Sequence, residues 1–294
     1  MDAGDLRIFE AVARLGGMNR AAAELHTVQS NVTARIRHLE AELGAPLFER
    51  HSRGVALTAA GRRLLPYAAR VRDTLDEARR AVRDDGTPAG PLVIGSLETT
   101  AALRLSPVLS RYAQKHPVVD VTLRTGTTAE LVDAVLARQL EGAFVCGPVD
   151  HPELEQEAIF REELVVLTSP AIRSLDKALA ATELKIVVLR LGCSYRQRLE
   201  DLLARRGIVG LRRLEFGTLE AIVGCVAAGL GITLLPKALI GPVWRDGRVA
   251  LHDLPPRESE VETLFIRRHD SRPSSALAAF LDQARPDIRQ VDAA

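Results

Sequence analysis

Residues 19–40 read NRAAAELHTVQSNVTARIRHLE, and this stretch decides the fold of the first part of the chain. It predicts one helix over 20–25, with Asn19 as its N-cap, and a second helix that ends at Gly44. The turn between the two helices, at 26–28, is tight. The apolar residues of the second helix recur at helical spacing and share one face: Val32, Ile36, Leu39 and Leu43. Two short helices joined in this way form a helix-turn-helix.

The segments on either side complete a small domain. A preceding helix has Leu6, Phe9 and Val12 on one face and ends at the glycine pair 16–17. A following hairpin over 46–57 has a basic tip that contains glycine, as expected for a wing. The sequence therefore predicts a winged helix-turn-helix at the start of the chain.

A long helix begins after Thr58, its expected N-cap, and extends to about Arg83, with Pro66 near its start. Its apolar positions alternate spacings of four and three, which is typical of a coiled coil: Leu64, Ala68, Val71, Leu75, Ala78 and Val82. Such a seam either packs on its own domain or pairs with a second copy of the chain. The segment has few other apolar residues to form an intramolecular core, which favours a dimer.

The composition of residues 84–91 indicates a linker, after which strand and helix patterns alternate. Strands are expected over 92–95, 118–125, 143–146, 164–167, 186–189, 214–216 and 232–235. Helices are expected over 101–115, 128–139, 195–206 and 219–228. This alternation predicts an α/β domain with parallel sheets, arranged as two lobes.

Five stretches of the first domain resemble a known family in order and spacing: FEAVA from Phe9, NRAAAEL from Asn19, VQSNVTARIRHLE from Val28, ELGAPLFER from Glu42 and LTAAG from Leu57. They resemble the LysR-type transcriptional regulators. A later stretch, GTLEAIVGCVAAGLGITLLP from Gly217, agrees with the family's weaker C-terminal pattern. The resemblance implies a winged helix-turn-helix, a linker helix and a regulatory domain of two α/β lobes. These lobes are similar to periplasmic binding proteins, and the chain crosses between them twice.

The resemblance also implies sequence-specific binding to double-stranded DNA by the second helix of the motif. Four side chains on the side of that helix away from its apolar face can reach base edges or phosphates: Gln29, Ser30, Thr33 and Arg37. The same pattern would suit a polar face that only meets solvent. The family often has arginine where this chain has Ala34, and the neighbouring Arg35 is the alternative DNA contact.

Three further arginines are expected at the DNA backbone or minor groove. Arg50 and Arg53 belong to the wing, and Arg20 lies beside the N-terminus of the first helix of the motif. Arg53 ranks first, because a wing tip projects. The first 72 residues contain eleven arginines and seven acidic residues, whereas the net charge of the whole chain is only +1. A basic end on a near-neutral body favours nucleic-acid binding at that end.

A small effector held between the lobes is the second implied partner. In open parallel sheets, ligands bind beyond the carboxyl ends of strands, near helix N-termini. The residues just past those ends are the expected effector contacts: Thr99, Thr100, Thr127, Cys146, Cys193, Ser194 and Thr218. Hydroxyls at helix N-termini suit an anionic or polar effector. Each hydroxyl could also be an ordinary N-cap, and the convergence of several strand ends favours the site.

Other classes of protein fit the sequence less well. No GxSxG, HExxH, P-loop or GxGxxG motif is present and no two histidines are four residues apart, so neither an enzyme nor a metal or cofactor is expected. Three widely spaced cysteines without a CxxC pair fit a reducing compartment. A free-standing solute-binding protein would share the lobes. It would, however, need a secretion signal and would leave the basic first domain unexplained.

Three regions are therefore expected, a winged helix-turn-helix domain, a linker and dimerisation helix, and an effector-binding domain: 1–58, 59–90 and 91–294. In the third region, lobe I takes about 91–161 and 267–294, and lobe II about 162–266. We expect a cytoplasmic homodimer or homotetramer with no membrane association. Its expected partners are double-stranded DNA, the effector and RNA polymerase.

Overall fold

The computed structural model describes residues 1–51, 54–180 and 184–285 of the chain. They form two compact units, Met1–Asp84 and the part from Asp85 onward, of which the first contains one apolar core cluster and the second contains two. The division falls at the end of the long helix, where the composition predicted a linker. No helix in the described ranges combines the length and apolar character that crossing a membrane requires.

The first unit is a winged helix-turn-helix followed by a long helix, as predicted. Its elements are α1 (Ala3–Leu15), α2 (Met18–Glu24), α3 (Gln29–Leu43), β1 (Phe48–His51), β2 (Gly54–Leu57) and α4 (Ala59–Arg83). Helix α3 ends at Gly44, whose φ of 66° is a left-handed conformation that glycine adopts without strain. Helix α2 begins earlier than expected, with Gly17 and not Asn19 as its N-cap.

Helix α4 divides into two parts along its apolar seam. Thr58 caps it as expected, by accepting a hydrogen bond from the Gly61 N–H. Ala68, near its middle, is buried in the core of the first unit, where α1 and α3 also meet. Further along the helix, 40% of the Leu75 side chain and 88% of the Val82 side chain are exposed. The first half of the seam therefore packs on its own domain, and the second half faces solvent in the single chain.

The second unit is a two-lobed α/β domain. Its strands are β3 (Gly90–Ser96), β4 (Val119–Thr125), β5 (Gly142–Cys146), β6 (Leu154–Thr168), β7 (Lys185–Leu189), β8 (Arg212–Phe216), β9 (Thr233–Pro236), β10 (Ala250–Asp253) and β11 (Glu260–Arg268). Its helices are α5 (Glu98–Thr100), α6 (Ser106–Lys115), α7 (Thr128–Leu136), α8 (Leu175–Leu179), α9 (Ser194–Arg205), α10 (Leu219–Ala227), α11 (Lys237–Arg245), α12 (Pro256–Ser259) and α13 (Ser275–Ala284). One π-helical turn, Ala101–Leu105, joins α5 to α6.

The two long strands β6 and β11 run from one lobe to the other. In the first lobe the strand order is β4-β3-β5-β11-β6, and in the second lobe β9 and β10 flank the end of β6. Strand β7 pairs with β8 and is linked to the chain just before β9 by a bridge between Ile186 and Ile232. The chain leaves the first lobe along β6 and returns along β11.

The expectation of parallel sheets needs correction. Strand β3 is parallel to β4 and β5, and β7 is parallel to β8. Strands β6 and β11 are antiparallel to each other and to their other neighbours, because they carry the chain between the lobes in opposite directions. By Thr263 the returning strand already pairs with β5 of the first lobe, a few residues before the expected boundary at 266–267.

Candidate functional site

Helix α3 separates an apolar face from a polar face. Val32, Ile36 and Leu39 are completely or almost completely buried in the core of the first unit, but Leu43, which the spacing predicted on the same face, is exposed at the end of the helix. The predicted DNA-contacting side chains lie together on the other side, exposed or half-buried: Gln29, Ser30, Thr33 and Arg37. The spacing of 29, 33 and 37 places these residues on successive turns of one face.

The N-terminus of α3 is open. Its N-cap is Val28, which has no side-chain acceptor for the N–H groups of the first turn. On the polar face, Gln29 Nε2 donates to Thr33 Oγ1 at 3.1 Å, so these two side chains are held side by side. Free N–H groups and the helix dipole make such an end a binding position for a phosphate.

The other predicted DNA contacts have different positions. Arg20 is exposed, and its Nη2 donates to the Gly16 carbonyl at 3.1 Å. Arg50 lies in β1, but its side chain and the whole of Arg53 lie outside the described residues. Arg35 is not on the face of Arg37. Its guanidinium contacts the carboxylates of Asp2 and Asp5 at the start of α1, so the geometry does not support Arg35 as the replacement for the family's arginine.

A cavity of about 220 Å³ lies between the lobes of the second unit. It is lined by Leu97, Glu98, Thr99, Thr125, Gly126, Thr127, Leu189, Arg190, Cys193, Tyr195 and Gly217. These residues follow the carboxyl ends of β3, β4, β7 and β8 or belong to them. The cavity is therefore where ligands bind in open α/β sheets.

The cavity brings together some of the expected effector contacts and not others. Three of them line it: Thr99, Thr127 and Cys193. Four do not: Thr100, Cys146, Ser194 and Thr218. Thr218 is exposed and accepts a hydrogen bond from the Ala221 N–H at 3.3 Å, so for this residue the geometry favours the N-cap. Thr100 and Cys146 are buried in the lobe interior.

Several polar contacts hold the two sides of the cleft together. They join Thr99 Oγ1 to Tyr195 Oη at 3.3 Å, Ser194 Oγ to Thr128 Oγ1 at 2.8 Å, Arg190 Nη2 to Glu130 Oε2 at 3.0 Å, and Arg198 Nη2 to the Gly147 carbonyl at 2.6 Å. In each pair, the two partners belong to different lobes. Two of the hydroxyls that the sequence assigned to a ligand, those of Thr99 and Ser194, are thus bonded between the lobes.

The sequence analysis missed two prominent groups of the cavity wall. Burial, followed by the nearby charge of Glu220, raises the pKa of Glu98. Tyr195 is almost completely buried, and burial raises the pKa of its phenol. Each is the direct neighbour of a predicted effector contact. Glu98 precedes Thr99, and Tyr195 follows Ser194. The pattern of small hydroxyl and thiol residues at strand ends includes neither a carboxylate nor a phenol.

The two cysteines near the cleft do not have the properties of reactive thiols. Burial raises the pKa of Cys146 to about 11, and burial also raises the pKa of Cys193. The thiolate is the nucleophilic form, and burial disfavours it at both cysteines. Within the described ranges, no three His, Cys, Asp or Glu side chains are arranged to hold a metal ion.

Comparison with known proteins gives matches over nearly the whole chain. The sequence model for bacterial regulatory helix-turn-helix proteins of the lysR family matches residues 3–62, and that for the LysR substrate binding domain matches residues 85–289. The HTH-type transcriptional regulator YusT of Bacillus subtilis (strain 168) is 46% identical over 286 residues, which cover 97% of this chain and 96% of YusT.

Two further comparisons agree. The HTH-type transcriptional regulator GltR, from the same Bacillus subtilis strain, is 44% identical over 283 residues, or 95% of each chain. The full-length crystal structure of CbnR in complex with its target DNA has a TM-score of 0.65 and 26% identity, and the match covers 99% of both chains. YusT and GltR are both named as transcriptional regulators, and the CbnR structure contains its target DNA. The chain belongs to the LysR family of transcriptional regulators.

Proposed function

We propose that α3 binds in the major groove of operator DNA, with Gln29, Ser30 and Thr33 facing base edges and Arg37 binding a base edge or phosphate. The observation that carries this proposal is that α3 buries Val32, Ile36 and Leu39 and has an opposite polar face and an N-terminus without a side-chain cap. Recognition helices contact bases through the residues near their N-terminus. Arg20, Arg50 and Arg53 are proposed contacts to the DNA backbone or minor groove.

Duplexes selected from a random library by the full chain provide the probe for this proposal. Gln29→Ala should reduce discrimination between the selected duplex and single-base variants, because it removes a base contact worth about 1–3 kcal/mol. Arg37→Ala should weaken binding and lower the salt slope by about one if the contact is to phosphate. Arg80→Ala is the control, since it removes an exposed arginine of α4 on the side away from Leu75 and Val82. Equal effects of all three variants would contradict the assignment.

We propose that the working form is a homodimer, or a homotetramer built from dimers, joined in part through the exposed half of α4. The apolar seam continues beyond the domain core as Leu75, Ala78 and Val82, all of which are exposed in the single chain. A second copy would cover these positions and bring two α3 helices to successive half-sites. We further propose that this regulator acts in the cytoplasm, contacts RNA polymerase and needs no cofactor besides its effector.

We propose that the effector is small and polar, and that it is neutral or cationic, not anionic. Glu98 contributes a carboxylate to the cavity wall, and Glu220 is close enough to raise its pKa. An anion placed there would be repelled. Arg190, the cation among the lining residues, already pairs with Glu130.

A thermal-shift screen with the full chain tests this proposal. Some amines and amino acids should raise the unfolding temperature of the second unit, the regulatory unit, whereas dicarboxylates should not. At a hundred times Kd, a bound compound contributes about 2.7 kcal/mol. Glu98→Gln should weaken the binding of a cationic hit, and Glu157→Gln, outside the cavity, is the matched control. If dicarboxylates alone stabilise the regulatory unit, the assignment of charge is wrong.

A further inference from the structure

The side chain of Arg35, in α3, binds two carboxylates at the start of α1. Its Nη2 donates to both carboxylate oxygens of Asp2, at 2.9 and 3.0 Å, and its Nε lies 2.7 Å from Asp5 Oδ1. Only 3% of the Asp5 side chain is exposed, and a carboxylate in such a place requires a cation beside it. One guanidinium therefore connects the middle of α3 to the first turn of α1.

The first turn of α1 is organised to receive this guanidinium. Asp2 and Asp5 form a capping box, in which Asp5 N donates to Asp2 Oδ1 at 2.8 Å and Asp2 N donates to Asp5 Oδ2 at 3.2 Å. Gly4 directly precedes Asp5 in this turn, and a Cβ on it would lie 3.1 Å from Arg35 Nη2. The two carboxylates are thus held by the backbone, and the glycine leaves room for the arginine.

A second polar contact fixes α3 on its C-terminal side. Glu40 Oε1 accepts hydrogen bonds from the backbone N–H groups of Leu47 and Phe48, at 2.7 and 3.2 Å, at the start of the wing. The apolar face of α3 holds the helix in the core, but apolar packing is not directional. The contacts of Arg35 and Glu40 add directional constraints to this packing, one on each side of the middle of α3.

We infer that Arg35 is a positioning residue, which sets the orientation in which α3 presents its polar face and does not itself contact DNA. The inference rests on the proposed placement of α3 in the major groove. This chain has Ala34 where the family often has arginine. In our proposal Arg35 does not replace that arginine, because it acts within the domain, and Arg37 is the residue that contacts DNA.

Salt dependence separates a positioning residue from a phosphate contact. Each lost phosphate contact lowers the slope of log K against log salt concentration by about one, because fewer counterions are released. A misplaced recognition helix loses base contacts instead. It then discriminates less well between sites, while its slope on a scrambled duplex stays unchanged.

The experiment uses the full chain and two labelled probes, a duplex selected from a random library by the unaltered protein and a scrambled duplex of the same composition. The variants are Asp5→Asn, Arg35→Met, the two together, and Arg35→Lys, which keeps the charge but cannot contact Asp2 and Asp5 as a fork. Arg37→Ala is the reference for a DNA contact. All binding is measured below the first unfolding transition of the weakest variant, as established by circular dichroism.

We expect Asp5→Asn and Arg35→Met each to lower the ratio of specific to scrambled affinity about fivefold or more, since one lost base contact has that effect. The double variant should be no worse than Arg35→Met alone, because Arg35→Met already removes the contact that Asp5→Asn breaks. Arg35→Lys should also lose specificity, with its slope unchanged, and this milder change decides the case if Arg35→Met does not fold.

Three results would overturn the inference. The first is a slope lowered by about one in Arg35→Met, as in Arg37→Ala. The second is an unchanged affinity ratio in all folded Asp5 and Arg35 variants, which would leave the pair a role in stability alone. The third is additive losses in the double variant. If the unaltered chain selects no duplex at all, the proposed placement of α3 fails first, and the inference fails with it.

Discussion

Thr127 has two roles that a single substitution would confuse. Its side chain lines the cleft, and it is also the N-cap of α7. The hydroxyl accepts a hydrogen bond from the Glu130 N–H at 3.3 Å, and Glu130 accepts one from the Thr127 N–H at 2.8 Å. The Thr127 N–H, more than any other group, lowers the pKa of Glu130.

Thr127→Val should therefore destabilise the regulatory unit by about 1 kcal/mol, the usual cost of losing a helix N-cap. Thr127→Ser keeps the hydroxyl and should unfold at nearly the same temperature as the unaltered chain. Thermal unfolding followed by circular dichroism measures both variants. Equal unfolding temperatures for the valine and serine variants would show that the capping hydroxyl contributes little, and only then would loss of an effector response in Thr127→Val report on the cleft alone.

The buried thiol of Cys146 should lower the free energy of unfolding at alkaline pH. An ordinary thiol loses its proton near pH 9, whereas burial raises the pKa of Cys146 to about 11. Between these values the unfolded chain binds fewer protons than the folded chain, so the free energy of unfolding falls as pH rises. The loss should approach roughly 3 kcal/mol, because each pKa unit corresponds to about 1.4 kcal/mol.

Urea unfolding of the full chain between pH 8 and 11 measures this effect. Cys146→Ala should lose less stability over that range than the unaltered chain, whatever its stability at pH 8. Cys225→Ala is the control, since it also removes a single thiol, at a position that is only half-buried. Parallel curves for the chain and for Cys146→Ala would contradict the assignment.

At the scale of whole elements, the two halves of α4 should respond differently to the same substitution. Leu75→Asp should leave the unfolding temperature of the single chain nearly unchanged, because Leu75 is exposed there. It should instead reduce the particle size, since a second copy would bury the new charge. Light scattering over a concentration series measures the size. Arg80→Asp places an aspartate on the opposite side of α4 and should not change the particle size. An unaltered particle in Leu75→Asp would mean that other surfaces suffice for assembly.

The first unit could be predicted from its sequence almost element by element. Its signals are local, since Gly44 ends α3, Thr58 begins α4 and the apolar residues of α3 recur at helical spacing. In α4, by contrast, the spacing of the seam is uniform from Leu64 to Val82. It therefore gave no sign that the domain core covers only the first half.

The strands that connect the lobes were harder to predict. Strand β11 and the first part of β6 carry many charged residues, because β6 is an edge strand in the first lobe and both strands are partly exposed. Neither segment therefore has the apolar pattern of a buried parallel strand. The cleft was placed at the correct ends of the strands, but the mutual hydrogen bonds of its hydroxyls depend on how closely the lobes approach, which no local pattern encodes.

At the scale of the molecule, the two units should unfold as separate transitions, because each has its own core. Val32→Ala, in the core of the first unit, should lower the temperature of one transition, and Val166→Ala, in a core of the second unit, should lower that of the other. Each substitution should reduce the stability of its unit by about 2 kcal/mol. Differential scanning calorimetry distinguishes the two transitions. A shift of both transitions in either variant would show that the units unfold as one.

The return of the chain to the first lobe along β11 has a consequence during synthesis. Strand β5 must pair with β11, and Cys146 lies opposite Thr263, so a ribosome has to complete the whole second lobe before this partner exists. At usual elongation rates the delay is on the order of ten seconds. Throughout it, the apolar edge of β5 is open to other nascent chains, and we expect this interval to be when the newborn protein most needs a chaperone.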